Sequence, residues 1–182
     1  MREIRVRIEG KGLGLLQHRF GVSTQAEAKS PKKKDQKQFT DNVVNYLYMN
    51  AGKVCQPGDH IHKMLQKCGA KFQIPGQRKL TYKNIIGAGA IQVEPAMIQH
   101  EIQDWSVDER AVIVNRGRII RQRPYFPKWA LSFNLIYDED ELSKQVIKDI
   151  LEYAGERNGL GDYRPENGGP FGKFMVTLFE ET

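Results

Sequence analysis

The chain has 182 residues, 40% hydrophobic and 27% charged, a globular balance that excludes a disordered chain. Its two cysteines, Cys55 and Cys68, exclude a disulfide framework and a four-cysteine zinc site, and no apolar run reaches membrane-spanning length. A formal net charge of +6 favours an anionic partner, nucleic acid being the commonest. These features predict a single domain over 1–182, soluble, cytoplasmic and without a membrane partner.

Arg2 to Glu9 alternates Ile4, Val6 and Ile8 with Glu3, Arg5, Arg7 and Glu9, the period of a half-buried strand. Gly10, Gly12 and Gly14 interrupt it before Leu15-Leu16-Gln17-His18-Arg19-Phe20. Residues 21–38 are polar and contain Lys32, Lys33 and Lys34, an exposed basic loop suited to a phosphate backbone. Phe39 to Asn50 carries Phe39, Val43, Tyr46 and Leu47 at helical spacing. Ile61, Met64, Leu65 and Cys68 recur at intervals of three and four, which predicts a helix over His60 to Cys68, capped by Asp59 and stopped by Gly69. Cys68 reads as a core residue, and His60 and His62, two apart, do not share a helix face.

Ile85 to Val93 reads as a closely packed strand or a turn around Gly87-Ala-Gly-Ala90. Ala111–Val114 and Arg118–Arg123 read as two strands joined by a tight turn at Asn115-Arg-Gly117. Trp129, Leu131, Phe133, Leu135 and Tyr137 alternate as the clearest strand in the chain. From Arg110 to Tyr137 stand six basic residues, Arg110, Arg116, Arg118, Arg121, Arg123 and Lys128, without an acidic one. Such a one-signed stretch interleaved with Tyr125 and Phe126 suits single-stranded nucleic acid, whose phosphates need cations and whose bases need planar partners.

Asp138 to Ala154 is the strongest helix, with Asp138 or Asp140 as cap, an apolar face of Leu142, Val146, Ile147, Ile150 and Leu151, and Gly155 as terminator. Residues 159–172 follow as a glycine-rich loop, and Phe174, Val176 and Leu178 alternate in a last strand. The loop is neither a Walker A motif nor a Rossmann fingerprint, although its N–H groups are suited to a phosphate nest. Arg164 is its obvious cationic side chain.

These elements predict an α+β fold: a ferredoxin-like or RRM-like antiparallel sheet, helices on one face, with insertions. Its open face would serve as a nucleic-acid platform; an antiparallel barrel is the alternative.

A helix, then Gly159-Leu-Gly161, then Gly168-Gly-Pro-Phe-Gly172 leading into a last strand, resembles the C-terminal glycine-rich loop of the repeat-associated RNA-binding superfamily of CRISPR systems. The similarity is greatest to its backbone-forming members, which polymerise along a guide strand. The resemblance covers about the last forty residues and the fold plan. It implies a ferredoxin-like or RRM-like fold and a loop, Gly159, Gly161, Gly168, Gly169 and Gly172, lying against RNA. Tyr163 to Asn167 departs from the pattern. The segment Leu15 to Phe20 is also similar to small uncharacterised proteins of phages and prophages.

The expectation is therefore a protein that binds single-stranded RNA or DNA through the backbone, as a homo-oligomer or in a multi-subunit assembly, without cofactor or metal. Its contacts would be Lys32, Lys33, Lys34, Arg116, Arg118, Arg121, Arg123, Tyr125, Phe126, Lys128, the five loop glycines and Arg164. Alternatives are a metal-independent endoribonuclease, for which His18, His60, His62 and His100 are the available general bases, and a phage or particle assembly subunit. Asp104, Asp108 and Glu109 lack a periodicity that would converge them on a metal.

Overall fold

The computed structural model describes residues 1–19, 43–114 and 117–182. The basic loop 21–38, with Lys32, Lys33 and Lys34, and Arg116 at the hairpin turn lie outside the described residues.

The central sheet has four strands: β1 (Arg2–Gly10), β5 (Ile91–Glu94), β9 (Ala130–Tyr137) and β10 (Phe174–Glu181). They stand in the order β10-β1-β9-β5, all antiparallel. With helices α1 (Gly58–Gly69) and α3 (Lys144–Arg157) between them, the path is β1-α1-β5-β9-α3-β10, the ferredoxin-like βαββαβ plan. Register makes the burial pattern intelligible. Ile4 lies opposite Leu135, Val6 opposite Phe133 and Ile8 opposite Leu131, so one face of these strands is continuously apolar. The helices cover that face with Ile61, Leu65, Ile147, Ile150 and Leu151, all buried in one cluster.

The opposite face is polar and largely self-paired. Arg7 is held by Glu101, Glu9 and Thr177, and Asn134 donates to Glu3. Arg5 on this face is exposed, and the residues that β1 and β9 direct there include no aromatic side chain.

Two smaller sheets are inserted. One joins β3 (Met49–Asn50), β4 (Lys53–Pro57) and β6 (Met97–Gln99). The other joins β2 (Leu15–Leu16) to the hairpin of β7 (Ser106–Val114) and β8 (Gly117–Phe126), a longer hairpin than the sequence alone suggests.

Several local expectations are corrected. Within Phe39–Asn50, Val43–Tyr46 forms a 3-10 turn, and Met49–Asn50 is a strand turned back onto β4 by Ala51 and Gly52, both at positive φ. A short helix α2 (Tyr82–Ile85), followed by a helical segment Ile86–Ala90 that is broken at Gly89 (φ 97°), precedes β5, so the strand expected within Ile85–Val93 forms only from Ile91. Asp59 lies in the first turn of α1 without capping it, because the helix begins at Gly58 directly after Pro57. The last helix starts at Lys144, not Asp138: the Asp138 N–H is bonded to Ala90 O and its carboxylate accepts from Asp140 N, which closes a turn first. Ser143 is the cap, accepting from Val146 N at 3.3 Å. Gly155 does not end this helix but lies inside it, where any Cβ would overlap the Phe174 carbonyl. Its role is the close approach of α3 to β10.

Candidate nucleic-acid interface

Residues 159–172 form a folded loop. Leu160 N donates to Gly172 O at 2.9 Å, Gly169 N to Arg164 O at 3.0 Å, and Glu166 N to Asn158 O at 3.2 Å. Gly172 has a φ of 76°, and a Cβ there would overlap the Leu160 carbonyl, so only glycine closes this ring without strain. Gly159, Gly161 and Gly168 also take positive φ, and Gly169 is buried against Tyr163. Most of the loop's N–H groups are thereby committed inside the protein, which corrects the expectation of a backbone nest for phosphate.

The β2 segment threads between this loop and the hairpin. Asp162 N donates to Leu16 O and Gly172 N to Gly14 O, both at 2.7 Å, while Leu15 and Leu16 pair with Phe126 and Tyr125. Across the seam Arg123 forms an ion pair with Asp162 at 2.7 Å. The Arg110 guanidinium lies 4.6 Å over the Phe171 ring, against which Tyr125 and Tyr163 also pack.

This packing sorts the sequence-predicted contacts. Phe126 is fully buried and cannot stack on a base; it is core because strand pairing with Leu15 turns it inward. Arg123 is 4% exposed, and its charge answers Asp162 rather than solvent. The hairpin is not one-signed either: register sets Asp108 opposite Arg123 and Glu109 opposite Gln122, and Asp108 pairs with Arg110 at 2.8 Å. Arg118 and Lys128 remain exposed, and Arg121 and Tyr125 are half-buried. Arg164 turns back into its own loop, donating to Gly161 O at 2.9 Å and pairing with Glu166 at 2.6 Å.

Beside the loop opens a cleft of about 480 Å³ between α1, the Gln17–His18 segment and Asn158 to Asn167. Lys63 and Lys67, one helical turn apart on α1, and Arg164 supply its cations. Glu166 and Asp162 supply its anions.

The histidines around the cleft are oriented by a polar relay. Gln17 accepts from Tyr48 N at 3.2 Å and donates to Cys55 O at 2.9 Å, so two backbone groups orient its amide. Gln17 Nε2 then faces Gln56 Oε1 at 3.3 Å, which turns the Gln56 amide nitrogen to His60 Nδ1 at 2.7 Å. His60 consequently accepts at Nδ1 and carries its proton on Nε2. Burial lowers its pKa, reinforced by Lys63 and Arg164, which favours the neutral ring. His100, fully buried, lies with Nε2 3.2 Å from the same Gln17 nitrogen, whose two hydrogens it competes for with Cys55 O and Gln56 Oε1, and burial pushes its pKa down to about 4. His18 stacks on Tyr46 with ring centroids 4.5 Å apart. Among the described residues, no group of three His, Cys, Asp or Glu side chains is placed to hold a metal ion.

Sequence reasoning does not reveal the cleft. Its lysines are legible as an i, i+4 pair off the apolar face of α1, but Gln17, Tyr48 and Gln56 have no shared spacing and meet only in three dimensions.

No protein-family model and no curated protein matches the sequence. The fold, however, is similar to a chain of the cryo-EM structure of the Type III-B Cmr-beta bound to cognate target RNA, with a TM-score of 0.62 at 12% identity. The match covers 99% of this chain and 60% of that one, so this chain spans less than two thirds of its structural neighbour. The likeness is one of fold, and it extends over nearly the whole chain. No helix among the described residues is long and apolar enough to cross a membrane.

Proposed function

We propose that this protein binds single-stranded nucleic acid through its sugar-phosphate backbone and works as one subunit of a larger assembly. The observation that carries the reading is the cleft: Lys63, Lys67 and Arg164 line a cavity beside the glycine-rich loop, and Arg118 and Lys128 are exposed elsewhere on the surface. The likeness in fold to a chain of an RNA-bound structure supports it. Cleavage with His60 as base is the weaker reading, because a general base must offer a lone pair. The relay engages the His60 lone pair and leaves an N–H instead.

The test is a titration of labelled single-stranded RNA, single-stranded DNA and duplex, each about twelve nucleotides long. At about 50 mM salt both single strands bind, and at about 200 mM binding is markedly weaker. Absence of single-strand binding at the lower salt overturns the reading.

A further inference from the structure

Glu166 sits in the segment Tyr163–Asn167, where this chain departs from the glycine-rich loops it resembles, and its carboxylate bridges two cations. Oε1 takes Lys67 Nζ at 2.6 Å; Oε2 takes the Arg164 guanidinium from Nε at 2.9 Å and from a terminal nitrogen at 2.6 Å. An ammonium and a guanidinium converging on one anion also make a seat for a phosphate, whose oxygens accept the same donors with the same charge assistance.

One side of the seat is held independently of Glu166, and the other is placed by its helix. Lys67 rises from the last turn of α1, and Arg164 is tied by its other terminal nitrogen to Gly161 O at 2.9 Å. Glu166 rides on the short 3-10 turn Pro165–Asn167, which ends on Gly168 in the left-handed conformation. Removing the carboxylate therefore leaves Arg164 in place and Lys67 within reach from the same helical turn. Burial alone would raise the Glu166 pKa, but the hydrogen bonds from Lys67 and Arg164 outweigh it and hold the group below the usual carboxylate range. The seat selects the anionic form.

We propose that Lys67 and Arg164 form a seat for one phosphodiester of a bound single strand, and that Glu166 occupies this seat as an internal anion until the strand displaces it. The inference rests on the nucleic-acid reading above and adds to it a named subsite and a self-masking residue. Glu166 thereby weakens general attraction to polyanions: a strand gains the seat only when its other contacts compensate for displacing the carboxylate.

The experiment measures affinity for the labelled single strand at about 50 mM salt in the wild type, E166Q, K67A/E166Q/R164A and, as a charge control outside the cleft, K148A. E166Q is expected to bind about two- to fivefold tighter, the size of one removed competing charge interaction. The triple variant is expected to lose that gain, and K148A to change affinity by less than about twofold. A melting curve for each variant establishes that it is folded. Unchanged or weaker binding by folded E166Q overturns the inference while leaving the nucleic-acid reading intact, as does a gain that survives in the triple variant. No binding by the wild type or any variant removes both. A parallel titration with inorganic phosphate separates the occupants: if phosphate alone stabilises E166Q as much as the oligonucleotide does, the seat is for a free anion and the strand assignment falls.

Discussion

Arg123 on β8 and Asp162 in the glycine-rich loop form an ion pair at 2.7 Å, with the arginine side chain only 5% exposed and the aspartate 21% exposed. It ties the inserted hairpin to the loop that follows α3, across the β2 segment. Burial draws the Arg123 pKa down from its ordinary value and Asp162 opposes that, so the guanidinium depends on this partner.

Removing the partner should therefore cost more than removing the charge. Asp162→Ala leaves a buried, uncompensated guanidinium and is expected to destabilise by about 3 kcal/mol. Arg123→Met keeps the volume and leaves a carboxylate that reaches water, so its cost should be smaller, about 1 kcal/mol. Urea denaturation of both variants tests the order; equal costs would contradict it.

The loop's glycines should differ sharply in tolerance. At Gly168 a Cβ meets nothing within 4 Å, so Gly168→Ala carries only the left-handed backbone penalty of about 1 kcal/mol. At Gly172 the Cβ overlaps the Leu160 carbonyl, the ring cannot close, and Gly172→Ala should be severalfold more costly. Comparative melting temperatures decide this.

His100 should make stability depend on pH. Its pKa falls from 6.5 to about 4 because burial disfavours the charged form. The unfolded chain then binds the proton more tightly, so this contribution is fully present above about pH 6.5 and is lost as pH falls toward 4. The span corresponds to roughly 3 kcal/mol at most. His60, also lowered, acts in the same direction. His100→Gln should flatten the dependence between about pH 7 and about pH 5, measured as unfolding free energy.

Both thiols should be inert in the folded protein. Cys55 and Cys68 are buried, and burial pushes Cys68 up to about 11 and raises Cys55. A thiol-reactive dye at about pH 8 should label neither until denaturant opens the fold.

Exposed and buried members of the basic-aromatic stretch should separate by phenotype. Lys128→Ala and Arg118→Ala should weaken single-strand binding and lower the salt slope by about 0.7 for each phosphate no longer neutralised, with stability unchanged. Phe126→Ala should instead lose about 3 to 5 kcal/mol of stability, since the ring is fully buried.

Much of the fold is legible in the sequence because its main signals are local. Alternation in Arg2–Glu9 and Trp129–Tyr137, and the apolar spacing of Ile61, Met64, Leu65 and Cys68, report burial of one face. That burial repeats along a strand or helix whatever the topology. The glycines of 159–172 likewise announce a backbone that other residues cannot adopt. What tertiary structure alone decides is which polar groups meet. Asp108 and Asp162 neutralise arginines that look unopposed in sequence; Phe126 becomes core because β2 pairs beside it; Gln17, Gln56 and His60 form a relay across three elements; and Glu166 closes on Lys67 from 99 residues away. Hydrophobic period is a property of one segment, whereas charge pairing and hydrogen bonding depend on the distance between segments, which no single segment encodes.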